Sequence, residues 1–108
     1  MRYEAVFEDL FAANLKRYAS MRGRVQKRID QLIQDPYQAT ERLGRAATGK
    51  NLLGCRSVHI GRNFRVIFVV CEECLEERDC EYCFCDGLAA KTIVFLTVGP
   101  HDKAYKMK

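Results

Sequence analysis

Apolar positions change period twice along the chain. Tyr3 to Phe7 alternates aromatic or apolar with polar or small residues, which predicts a short first strand. From Asp9 the spacing becomes helical: Phe11, Leu15 and Tyr18 lie four and three apart, with Asp9 expected as N-cap. After Ser20 and Gly23, the positions Val25, Ile29, Leu32 and Ile33 form a second helical stripe. Asp35-Pro36 ends it, because proline lacks a donor and clashes with the preceding turn. Two helices joined by so brief a break predict an antiparallel helical hairpin.

Residues 37–54 are mixed, with turn signals at Gly44, Gly49 and Gly54 and one short helical turn expected over Thr40–Ala47. Beyond them the period is that of strands. Ser57–Ile60 alternates, Gly61-Arg62-Asn63 reads as a three-residue turn, and Phe64–Val70 is a dense β-branched and aromatic run. Thr92–Val98 is apolar throughout, which places it centrally, and Gly99-Pro100 is expected to end it. The order β-α-α-β-β-β predicts an α+β fold: an N-terminal strand and a two-helix hairpin packed on one face of a mostly antiparallel sheet. One domain over residues 1–108 is expected, with a cysteine-rich insert at 71–87 inside it.

Of the 108 residues 48% are hydrophobic and 30% charged, a balance that excludes a disordered chain. No apolar run approaches the roughly 20 residues of a membrane span, and an acidic break precedes any signal-like stretch. A cytoplasmic chain without membrane attachment is expected. The net charge of +4 matters less than its distribution. Lys16, Arg17, Arg22, Arg24, Lys27 and Arg28 follow one another with no acid among them. Such a block suits a polyanion, an acidic protein partner, or simply a solvated helix face.

Five of the six cysteines fall between residues 71 and 85, as Cys71-Glu-Glu-Cys74 and then Cys80-Glu-Tyr-Cys83-Phe-Cys85. Paired C-x-x-C knuckles suit a structural zinc held by four thiolates drawn from Cys71, Cys74, Cys80, Cys83 and Cys85, stapling the tip of a lengthened hairpin. A pair of disulfides is the alternative, with an iron–sulfur cluster behind it. Cys55 stands apart and reads as core filler. Six acids between Glu72 and Glu81 make the insert a poor nucleic-acid ligand.

The element order, the Asp35-Pro36-Tyr37 stop, the run Ser57-Val-His59-Ile-Gly-Arg62-Asn-Phe-Arg65-Val-Ile-Phe and the closing Val98-Gly-Pro-His101-Asp-Lys103-Ala-Tyr105 together resemble the RelE/ParE superfamily of toxins from type II toxin–antitoxin systems. The resemblance spans the chain except residues 71–90. It implies an antitoxin partner and one of two activities: cleavage of messenger RNA, usually on the ribosome, or poisoning of DNA gyrase. In RelE-like members the arginine of the second hairpin strand grips the scissile phosphate, and Arg65 stands there. His101 matches the group after the last strand that serves as acid or phosphate ligand, and Tyr105 the tyrosine that stacks on or orients the substrate. Ser57 and His59 occupy places that often hold Lys or Arg.

Metal-free RNA cleavage needs a base for the 2′-OH, a cation for the phosphorane and an acid for the leaving 5′-oxygen. Histidine, with an ordinary pKa of about 6.5, suits both proton roles, and arginine presents a fixed fork to two phosphate oxygens. These requirements make His59 the candidate base, Arg65 the clamp, His101 the acid and Tyr105 the stacking or orienting group; the structural alternatives are an exposed strand residue, an ion-pair partner, a strand-end polar group and cover for the core edge, respectively. Arg56, Arg62, Lys103, Lys16 and Arg17 are the candidate RNA contacts. No cofactor is expected for catalysis. A gyrase-binding toxin without nuclease activity and an inactive relative used as an interaction module are the competing readings.

Overall fold

The computed structural model describes residues 2–43, 54–76, 85 and 87–100. Its elements are β1 (Glu4–Phe7), α1 (Asp9–Arg17), a 3-10 turn (Ala19–Met21), α2 (Arg22–Gln34), β2 (Glu41–Arg42), β3 (Cys55–Ile60), β4 (Phe64–Val70), a single helical turn α3 (Cys71–Cys74), and β5 (Thr92–Pro100). One five-stranded sheet runs in the order β1-β5-β4-β3-β2. β1 lies parallel to β5 and every other pair is antiparallel.

β5 is central, and its residues Thr92–Gly99 are all buried. A strand covered on both faces has no solvent side on which to place polar residues, which explains its largely apolar sequence. On one face, Phe11 of α1 and Val25, Ile29 and Leu32 of α2 pack against Val58, Ile60, Val66, Phe68, Val70, Ile93, Phe95 and Val98. On the other, Ile67, Val69, Val94 and Leu96 cluster with Cys55, Cys71, Cys74 and Cys85. Cys71, Cys74 and Cys85 therefore help to cover the second face of the sheet.

Register explains how β5 serves both faces. Ile67 pairs with Thr97 but Phe68 pairs with Phe95, leaving Leu96 as the extra residue of a bulge. Phe95 and Val98, three apart, thus both reach the helical side.

Several boundaries depart from the sequence reading. Glu8, not Asp9, is the N-cap of α1, and its side chain makes no capping bond; Asp9 opens the first turn, where its charge still favours the helix end. α2 does stop before Pro36, and the Asp35 carboxylate accepts the Tyr37 N–H at 3.1 Å to fix the turn. Glu41–Arg42 pair with Ser57 and Arg56 as an edge strand instead of forming the expected helical turn; the rest of that region lies outside the described residues. Gly99-Pro100 continues β5 because β4 still offers partners: Arg65 to Gly99 and Phe64 to Pro100.

Candidate functional site

The Leu43 N–H donates to the Cys55 carbonyl at 3.0 Å, so the main-chain groups of Cys55 point towards β2. By strand alternation those of Ser57 and His59 do the same, and His59 opposite Arg65 is then a close, non-hydrogen-bonded pair of the β3–β4 ladder. Such pairs bring Cα atoms to about 4.5 Å and project both side chains to one face. Val58, Ile60 and Val66 belong to the helix-side core, so His59 and Arg65 project from the opposite face. His59 is exposed. On the far side of Arg65 lies Gly99, which has no side chain.

The Arg65 side chain is 16% exposed, and its Nη1 stands 3.7 Å from Oε2 of Glu41, whose side chain is 67% exposed. The charge expected to grip phosphate is thus held by a carboxylate on a two-residue edge strand. Glu41 sits opposite Ser57, a buried residue whose Oγ has no hydrogen-bond partner among the described residues. Sequence reasoning missed Glu41, because a strand of two residues carries no periodic signal.

Arg56, expected as an RNA contact, is committed elsewhere. It donates to both carboxylate oxygens of Glu73, at 2.8 Å from Nη2 and 3.0 Å from Nε, and lies 4.8 Å from the centre of the Tyr37 ring. Its side chain is 12% exposed, so the fork is not available to a phosphate. Beside it, the hydroxyls of Tyr3 and Tyr37 both donate to Oε2 of Glu72, and Lys91 Nζ stands 3.3 Å from the other oxygen. The two phenols hold the Glu72 carboxyl below its ordinary value, with Lys91 assisting. Burial pushes both phenols up, and the Glu72 hydrogen bonds add to it. Glu72 and Glu73 therefore anchor α3 to β3 and to the N-terminal segment.

Arg62 is exposed in the β3–β4 turn, whereas Lys16 and Arg17 are exposed at the end of α1, in the helical layer. His101, Tyr105 and Lys103 lie outside the described residues, as do Cys80 and Cys83. Among the described residues no group of three His, Cys, Asp or Glu side chains is arranged to hold a metal ion, although Cys71, Cys74 and Cys85 share one buried cluster. No described helix is long and apolar enough to cross a membrane.

A concavity opens between α2 and the end of β3. It has a volume of about 460 Å³ and is lined by Arg24, Lys27, Arg28, Gln31, His59 and Gly61, with Ile60. The three cations recur at i, i+3 and i+4, one face of α2, a spacing visible in the sequence although its neighbour across the cleft was not.

No protein-family model matches the sequence, and no curated protein matches it. Among solved structures the chain is similar to one in the crystal structure of the toxin–antitoxin complex RelBE2 from Mycobacterium tuberculosis. The TM-score is 0.62, over 93% of this chain and 99% of that one, at 16% sequence identity. The fold is therefore RelE-like, as the hairpin and closing motifs implied.

Proposed function

We propose that this chain is the toxin of a toxin–antitoxin pair and that it cleaves messenger RNA presented on the ribosome. The reading is supported by the RelE-like fold, shared with a chain of a toxin–antitoxin complex, and carried by the pairing of His59 with Arg65 across β3 and β4. In the proposed reaction His59 takes the proton of a 2′-OH, and the freed oxygen attacks the adjacent phosphorus. Arg65 donates to the non-bridging oxygens, where negative charge accumulates in the transition state. His101, which follows Pro100 in sequence, protonates the leaving 5′-oxygen, and Tyr105 orients the base. The products are a 2′,3′-cyclic phosphate and a 5′-hydroxyl, with the proton count balanced between the two imidazoles. No step requires a metal. The partner that silences the toxin is a cognate antitoxin, which must cover either this face or the basic helices.

The Arg65–Glu41 ion pair is the observation that favours a non-catalytic alternative, either a gyrase-binding toxin or an inactive module. Inducing the wild type and Arg65→Ala in growing cells, with transcript ends mapped, separates these. Wild type is expected to cut messages within codons, and Arg65→Ala to reduce cutting by about 10²–10³-fold. DNA breakage with intact messages, or no growth effect from either chain, would refute the ribonuclease assignment.

A further inference from the structure

The cleft beside α2 is separate from the Arg65 face but meets it at His59. α2 carries Arg22, Arg24, Lys27 and Arg28 against a single acid, Asp30, which accepts a hydrogen bond from Gln26 one turn back. None of the described residues that line the cleft is acidic. Arg28 is fixed by neutral acceptors, donating to Gln31 Oε1 at 2.9 Å and to the Gln38 carbonyl at 2.7 Å, so it is oriented without being neutralised. Arg24 is propped against the β3–β4 turn: a Cβ placed on Gly61 would lie 3.5 Å from its Nη1. Arg24 and Lys27 are exposed and pair with no carboxylate among the described residues. The opposite wall is the end of β3, whose edge beyond Ser57 has no strand partner among the described residues. β2 pairs only as far as Ser57, and Ala39, at φ 56°, belongs to the turn that precedes it. The main-chain N–H of His59 therefore faces this edge with no β2 partner.

We propose that this cleft binds the phosphate backbone of single-stranded RNA next to the linkage held at Arg65. The inference rests on the ribonuclease reading above and extends it by naming where the flanking strand runs. Three cations and a strand-edge N–H match a run of phosphates, and guanidinium forks recognise phosphate oxygens in pairs. The volume falls within the roughly 300–1,000 Å³ of sites that take small organic ligands, enough for a nucleotide unit. An acidic peptide fits less well. A helix seated in a groove needs apolar anchors, and among the described residues this cleft offers Ile60 alone.

The test is fluorescence anisotropy of a labelled, fully 2′-O-methylated oligoribonucleotide, which lacks the attacking hydroxyl and so reports binding without cleavage. Wild type, Arg24→Gln/Lys27→Gln and the charge-retaining Arg24→Lys/Lys27→Arg are titrated over a salt series. Each neutralised phosphate of a single strand contributes a slope of about −0.7 in log K against log salt, so the Gln pair should flatten the dependence by roughly 1.4. The charge-retaining pair should keep the wild-type slope. Superimposed slopes for wild type and the Gln pair would overturn the proposal, as would binding of a labelled poly-glutamate peptide but not RNA. Cleavage of the unmethylated oligonucleotide, followed separately, reports the ribonuclease reading alone. Loss of cleavage with the slope difference intact would leave the cleft in place and remove the chemistry.

Discussion

Replacing Glu41 by Gln removes the carboxylate that holds Arg65 while keeping the side chain's shape. The pair is 3.7 Å apart, and unit charges at that distance attract by about 4.5 kcal/mol at an effective dielectric near 20, which is a ceiling. Glu41 is two-thirds exposed and sits on a short edge strand, so water and salt screen most of this attraction. Exposed ion pairs measure roughly 0.2–1 kcal/mol, and the upper half of that range is apt because Arg65 itself is largely buried. A phosphate reaching Arg65 must displace Glu41, so Glu41→Gln should bind the 2′-O-methylated oligonucleotide about 2–5-fold tighter at low salt. The gain should vanish near 1 M salt, where the screening length falls to about 3 Å. A double-mutant cycle with Arg65→Ala isolates the cause: in that background Glu41→Gln should change nothing. Equal or weaker binding by Glu41→Gln, or a gain that survives removal of Arg65, would refute the assignment of Arg65 as the phosphate clamp.

Other outcomes follow from the packing and the polar network. Phe68→Ala removes a fully buried ring from the helix-side core and should lower unfolding free energy by about 3–5 kcal/mol in urea titrations. Tyr3→Phe leaves Glu72 one donor short and Lys91 without its hydroxyl acceptor, and should cost about 1–3 kcal/mol by the same measurement. Because the folded-state pKa of Glu72 lies below its ordinary 4.5, its contribution is present above pH about 4.5 and is lost as pH falls through the lowered value. Acid titration of stability should therefore be shallower in Glu72→Gln than in wild type. Arg56→Gln should weaken stability while leaving the salt slope of RNA binding unchanged, since its guanidinium is already bonded to Glu73.

Strands with one strong requirement were legible. The apolar run of β5 announced a central strand, and the Asp35-Pro36 stop marked the end of α2, because burial on both faces and proline sterics act locally. The His59–Arg65 pairing was also within reach, since a three-residue turn fixes which residues oppose. Ion-pair partners were not. Whether Arg56 meets Glu73 and Arg65 meets Glu41 depends on where an edge strand and a helical turn dock, and neither has a period to read. The packing role of the cysteine segment was hidden for the same reason. Its C-x-x-C spacing suggests ligands, whereas Cys71 and Cys74, on one turn of helix, also serve as apolar cover for Val69 and Val94.

The strand flanked by β1 and β4 is the furthest along the polypeptide of those described. Until the ribosome has released it, β1 has no neighbour to bond to, and neither apolar layer can close. The nascent sheet therefore cannot close through most of its own synthesis, and the fold is completed only when this strand slots between two that have waited for it.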